Sequence, residues 1–224
     1  MRPWFRGFLI STTLLLVSVL PALAQNQVVF NEILVRRSGP SPAIDQLVEL
    51  RNTGAFSIDV GGWVFCHEFD YNGATIPNGT TIAGGGLLTL HFNQAGANTG
   101  NDVYFPGEDL TTTASDLALY INSANFGSPA NMHAFIQFGG VPSNGRQTVA
   151  VQAGLWTSNA FIPNPAVGSS VELCVGDPTQ VSSWVATASP TIGAINGCGV
   201  GVQPVSWTSV KSIFGRFKGF RPAN

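Results

Sequence analysis

The sequence predicts an all-β sandwich, and three observations carry that expectation. Seven apolar runs of strand length follow one another between Val28 and Cys198; Gly, Asn, Asp and Pro break the chain between them; and the runs are rich in β-branched and aromatic residues. Such composition suits a pleated, half-buried surface bounded by turns. The chain has 224 residues with 26 Gly, 14 Pro and only 10% charged side chains. About 200 residues beyond a leader suffice for one β domain with a substantial core.

Taken in order, the runs are VVFNEILV, QLVEL, GWVFCHEF, GLLTLHF, LALYIN, AFIQFG and SSVELCV. Alternation within DQLVELRNTG, residues 45 to 54, puts Asp45, Leu47 and Glu49 on one face and Gln46, Val48 and Leu50 on the other, because the side-chain period of a strand is two. With Val48 and Leu50 inward, Glu49 points outward or lies at a sheet edge, and Asn52-Thr53-Gly54 reads as a turn. Asp59-Val60-Gly61-Gly62-Trp63 reads as a turn whose glycines permit the backbone conformation, entering a strand that begins with a core tryptophan. Trp63 and Trp184 are both expected to be buried. One short helix is expected over 146–156, where Val149, Ala150, Ala153 and Trp156 share a helical face.

The ends differ from the body. Arg2 and Arg6, an uncharged apolar stretch over 8–20, and Ala22-Leu23-Ala24 before Gln25 form the pattern of a signal peptide, residues 1–24, cleaved after Ala24. The apolar stretch is short for a membrane span. The protein is therefore expected to be secreted or at the cell surface. Residues 25–206 hold all 12 acidic side chains and only Arg36, Arg37, Arg51 and Arg146, a net charge of −8 without a single lysine. An acidic body without a basic stripe argues against nucleic acid as a partner, since phosphate neutralisation dominates that affinity.

The C-terminal segment SWTSVKSIFGRFKGFRPAN reads as a basic amphipathic helix. Trp207, Val210, Ile213, Phe214, Phe217 and Phe220 recur at spacings of three and four, interleaved with Lys211, Arg216 and Lys218. Gly215 and Gly219 lower its helicity by roughly 1 kcal/mol each relative to Ala. Residues 199–224 are thus read as a linker and interaction tail, which either docks on the acidic body or meets an anionic membrane surface or an envelope partner.

The blocks VVFNEILV, DQLVELRNTG, IDVGGWV and TIPNGTTIAGGGLLTL, then AFIQFGG, SSVEL and SSWVATASPTIGAIN, resemble in their order the lamin tail domain in its exported bacterial form. The resemblance spans residues 27–198. It implies an immunoglobulin-like β-sandwich without catalytic apparatus, a binding or structural module, and it places Glu32 and Glu49 on neighbouring strands, where Arg51 or a turn backbone N–H can hold a carboxylate. Segments 98–115 and 139–169 are longer than a minimal domain of that family, and the tail lies outside it.

Three cysteines, Cys66, Cys174 and Cys198, admit one disulfide and one leftover thiol in an oxidising compartment. Cys174 closes a strand-like run and Cys198 follows the family's last block, so a bridge between them would staple the final segment to the sheet, contributing about 3 kcal/mol by loop entropy. Cys66 reads as a buried small side chain.

Catalytic and metal patterns are sparse. There is no G-x-S-x-G elbow, and Gly84-Gly85-Gly86 precedes a strand rather than a helix, without the context that cradles phosphate. His67, Glu68 and Asp70 are close in sequence, but alternation sends His67 and Glu68 to opposite faces. Asp102, Glu108, Asp109 and Asp116 gather around one long loop, a hard-ligand composition without a calcium-loop signature. No cofactor or metal is expected. Asn78-Gly79-Thr80 matches a glycosylation acceptor. The expectation is a non-enzymatic binding or structural module with an envelope, glycan or protein partner. The alternative is an exported hydrolase drawing on Glu32, Glu49, Asp102 and His133.

Overall fold

The computed structural model describes residues 27–35, 46–67, 74–121, 125–142, 145–174 and 176–198. The leader, Asp45, Glu68, Asp70 and the tail with Trp207, Val210, Lys211, Ile213, Phe214, Arg216, Phe217 and Lys218 lie outside the described residues.

The fold is mostly β. Its strands are β1 Val28–Leu34, β2 Gln46–Asn52, β3 Ile58–Asp59, β4 Val64–His67, β5 Thr81–Ile82, β6 Leu87–Phe92, β7 Asp102–Phe105, β8 Ser115–Tyr120, β9 Met132–Phe138, β10 Ser170–Leu173 and β11 Trp184–Thr187. A six-stranded sheet runs β11-β10-β1-β2-β6-β7, a three-stranded sheet runs β4-β8-β9, and β3 and β5 form a small ribbon. Neighbours are antiparallel except β6 and β7.

Alternation divides the large sheet into two faces. Val48 and Leu50 of β2, Leu88, Leu90 and Phe92 of β6, and Val103 and Phe105 of β7 face inward, where they join Phe65 of β4 and Leu117 and Leu119 of β8 in one core. Phe65 stands 6.0 Å from Phe30 and 5.7 Å, edge-on, from Phe92, so an aromatic chain bridges the two sheets. Gln46 shares that inward face and is buried, and its amide acts as a surrogate peptide group. It donates to the carbonyls of Val35 and Leu110 and accepts the Leu110 N–H at 2.6 Å, tying Leu110 to β2 and to the residue that follows β1.

All seven expected runs contain a strand. Four strands go beyond them: β3 and β5 are two residues each, β11 is half exposed, and β7 lies within the segment read as a long loop. Asp102 is therefore a strand residue, with Val103 and Phe105 alternating inward along β7. The expected helix is α1 Gln147–Gln152, with Ala150 and Trp156 buried against β9 and Trp156 5.6 Å from Phe135. Residues 145–162 thus contribute Ala150, Leu155, Trp156 and Ile162 to the core. Trp184 is buried as expected, whereas Trp63 is only partly so. Its ring is used as a lid on His133, at 4.4 Å between ring centres.

The turn at 59–62 follows its sequence closely. Asp59 Oδ1 accepts the Gly61 N–H at 2.8 Å, Gly62 has φ +76°, and a Cβ on Gly61 would stand 2.7 Å from the Gly79 backbone nitrogen. Glycine is required at both places, once for the dihedral and once for the close approach.

Candidate functional site

The outward face of the large sheet carries one unbroken polar row. In register across five strands stand Glu172 of β10, Glu32 of β1, Glu49 of β2, Thr89 of β6 and Asp102 of β7. Directly opposed side chains share a face, with Cβ atoms about 4.5–5.5 Å apart, so three glutamates stand side by side. Glu32 and Glu49 are fully buried and Glu172 is 2% exposed. Like charges so placed destabilise a sheet unless donors are supplied.

The donors come from residues 188–198, which return from β11 across this face. Glu32 accepts the Thr191 N–H on both oxygens, at 2.9 and 3.0 Å, the Thr191 hydroxyl at 2.7 Å, and the Ser170 hydroxyl. Glu49 accepts the Gly193 N–H at 2.6 Å and the Asn31 amide at 2.5 Å. A β-bulge between Phe30 and Glu32 allows Asn31 and Glu32 to face the same row. The Asn31 amide also donates to Asn196 Oδ1 at 2.9 Å, and the Asn196 amide donates to the carbonyls of Asn31 and Leu173 at 2.7 and 2.8 Å. Gly193, at φ +84°, closes the turn that aims its N–H downward.

Burial pushes the Glu49 carboxyl above its ordinary range, helped by the charge of Glu32 and opposed by the Gly193 and Asn31 donors. Glu172 is raised for the same first reason and then by Glu32. Arg51, two residues along β2, acts on Glu49 only as a weak attraction through space. Of the two holders that the resemblance implies for these carboxylates, the turn N–H is the one used.

Chemically the row is a latch. Glu32 and Glu49 are covered by the chain's own loop and filled by its own donors, whereas a general acid and base need access to a substrate's proton. Of the four groups of the hydrolase alternative, Glu32 and Glu49 are neighbours, whereas Asp102 and His133 are engaged elsewhere. Asp102 pairs with His91 at 2.9 Å, and that contact holds its carboxyl below the usual range. His133 lies on β9 of the other sheet, and burial pulls its imidazole down to about 4.

The four acids read as one loop are also dispersed. Asp109 accepts from Asn93, while Asp116 is buried in β8 and accepts the Arg146 N–H. His67 is buried in β4. Cys66 is buried in β4, as expected. Cys174 and Cys198 approach one another as free thiols, with Glu172 beside them. Asn78, of the Asn-Gly-Thr match, is exposed at a turn.

Recesses among the described residues include an apolar and a polar one. An apolar crevice between β1, β9 and residues 178–184, lined by His133, Phe135, Leu155 and Trp184 among others, holds about 20 Å³, room for about one water. A polar hollow of about 260 Å³ lies between residues 77–81 and 98–100. The residues that sequence reasoning missed are Asn31, Ser170, Glu172, Thr191, Gly193 and Asn196. Glu172 had a signal, as the one acid in the run SSVELCV; the others are small polar residues whose role exists only once the loop is folded back. Comparison with known proteins finds no family model that matches the chain and no curated protein that matches it.

Proposed function

We propose that this chain is an exported, immunoglobulin-like, lamin-tail-like β-sandwich that serves as a non-enzymatic binding or structural module at the cell surface or in the extracellular space. What supports the reading is the carboxylate row itself. Glu32 and Glu49, the buried acids at the centre of the row, are occupied by donors from the same chain and fix a loop instead of lining a cleft. The sequence adds the leader, the acidic body and a basic, aromatic tail over 199–224, in which an apolar stripe supplies contact area and four cations supply attraction to an envelope component.

The test is envelope association of the full chain against a chain ending at Val205, at low and moderate salt, with capture of partners from the producing cell's envelope. The full chain is expected to fractionate with the envelope and the shortened one to be released. Equal fractionation removes the tail from the proposal.

A further inference from the structure

Beyond that reading, we propose that Glu172, Cys174 and Cys198 form a site for a thiophilic divalent cation of the zinc class, bound by two thiolates and one carboxylate oxygen with a fourth position open to water. The observations are independent of the tail and of the module's partner. Glu-x-Cys in extended backbone puts the carboxylate of Glu172 and the sulfur of Cys174 on one face, here the outward face of β10, and the Cys174 N–H, at 2.7 Å from the Ser183 carbonyl, carries the pairing with β11 one residue past the end of β10. Cys198 arrives from the returning loop. One ligand atom from each of the three residues lies within 4.8 Å of the other two, the one such group among the described residues. A tetrahedral zinc ion with ordinary bond lengths separates its sulfur and oxygen ligands by about 3.6–3.8 Å, within reach of small side-chain rotations.

The unpartnered oxygen of Glu172 points to a cation as the occupant. Glu172 is 2% exposed, and its Oε2 is buried without a hydrogen-bond partner, in register with a second carboxylate, Glu32. The Cys198 N–H and the Thr191 side chain hydrogen-bond the carboxylate, and the oxygen left over, buried without a donor, is suited to a counter-charge. A disulfide between Cys174 and Cys198 would join the sulfurs and leave that oxygen as it is; a cation satisfies it. Cys198 also holds φ +44°, a left-handed backbone in a residue other than glycine, and its sulfur points back at the Leu173 carbonyl at 3.4 Å. Strained conformations of that sort persist where the surroundings over-determine them. Binding releases two protons as both thiols become thiolates, and the ion then clasps the end of the loop to β10.

The experiment uses the full chain, isolated anaerobically with zinc present. One equivalent of zinc is expected to survive dialysis and to shield two thiols from alkylation until a chelator is added. Cobalt(II) in its place is expected to give the thiolate charge-transfer absorption, with Cys66, buried in β4, taking no part. Glu172→Gln keeps the side chain's size and is expected to weaken zinc retention at least the roughly tenfold that even an outer-shell partner commands. The wild-type cobalt spectrum decides the matter even where Cys174→Ser or Cys198→Ser fails to fold. A reduced chain that gives no charge-transfer band, a chain isolated with zinc that yields Cys174 joined to Cys198, or zinc retention unchanged in Glu172→Gln overturns the proposal.

Discussion

Glu32 and Glu49 face one another across β1 and β2, and each accepts a backbone N–H from the same loop, Thr191 for the first and Gly193 for the second. The pair that the sequence reads as held carboxylates, and that the hydrolase alternative would use, is a two-point anchor. Removing one anchor tests this directly. Glu32→Ala strands the Thr191 N–H and the Ser170 hydroxyl on a buried surface, and hydrogen bonds to charged groups carry about 1.5–3 kcal/mol. A loss of about 3 kcal/mol in urea unfolding is expected, and a loss under 1 kcal/mol would contradict the anchor.

Glu49 gives the stability a pH dependence of known sign. Its pKa is raised in the folded state, so the folded chain binds the proton more readily than the unfolded one, and the contribution is fully present below the unfolded value of about 4.5 and lost as pH rises through the folded value. Relative to Glu49→Gln, the wild type should be more stable near pH 4.5 than near pH 7.5. Urea midpoints for both proteins across that range measure it, and a constant difference would show that Glu49 does not titrate on folding.

His133 acts in the opposite direction. Burial lowers its pKa from 6.5 to about 4, so the folded state resists protonation. Its contribution is present above pH 6.5 and lost as pH falls toward 4, about 3 kcal/mol in all at 1.36 kcal/mol per unit. His133→Phe, which can still pack beneath Trp63, should flatten that part of the profile. A variant with the wild-type slope between pH 4 and 6.5 would assign the slope to another group.

Much of the fold was legible because the core strands are short, apolar and β-branched, so VVFNEILV, GLLTLHF and SSVELCV announce themselves by composition alone. Trp63 was misread because composition says that a tryptophan packs, not how completely; here one face of the ring covers His133 and leaves the rest partly exposed. β7 was missed because Asp102 and Tyr104 alternate with Val103 and Phe105 over only four residues, too short to separate from a loop. The row of glutamates shows the limit most clearly. The resemblance put Glu32 beside Glu49, but Glu172 joins them from 123 positions further along, by a register that no local pattern encodes. Gln46 was assigned its face correctly and its role not at all, since a buried glutamine is informative only when its partners, Val35 and Leu110, are known.

Gln46 supplies a control for the last prediction, which separates local release of the loop from general loss of stability. Gln46→Leu removes three hydrogen bonds and leaves two carbonyls and one N–H without their partner, so it should destabilise by about 3 kcal/mol, close to Glu32→Ala. The two variants differ in where they act. The Thr191 and Gly193 amides belong to a loop whose outer side is exposed, yet both point into buried carboxylates, so in the wild type they should exchange with solvent far more slowly than the neighbouring amides of Ala188 and Ser189. Glu32→Ala should abolish protection at Thr191 and weaken it at Gly193 while β6 and β8 stay protected relative to their own global stability. Gln46→Leu should lower protection throughout the sheet with Thr191 still the slowest amide of its loop. Amide exchange followed residue by residue distinguishes the patterns, and loss at Thr191 of equal extent in both variants would mean that the loop opens only with the whole domain.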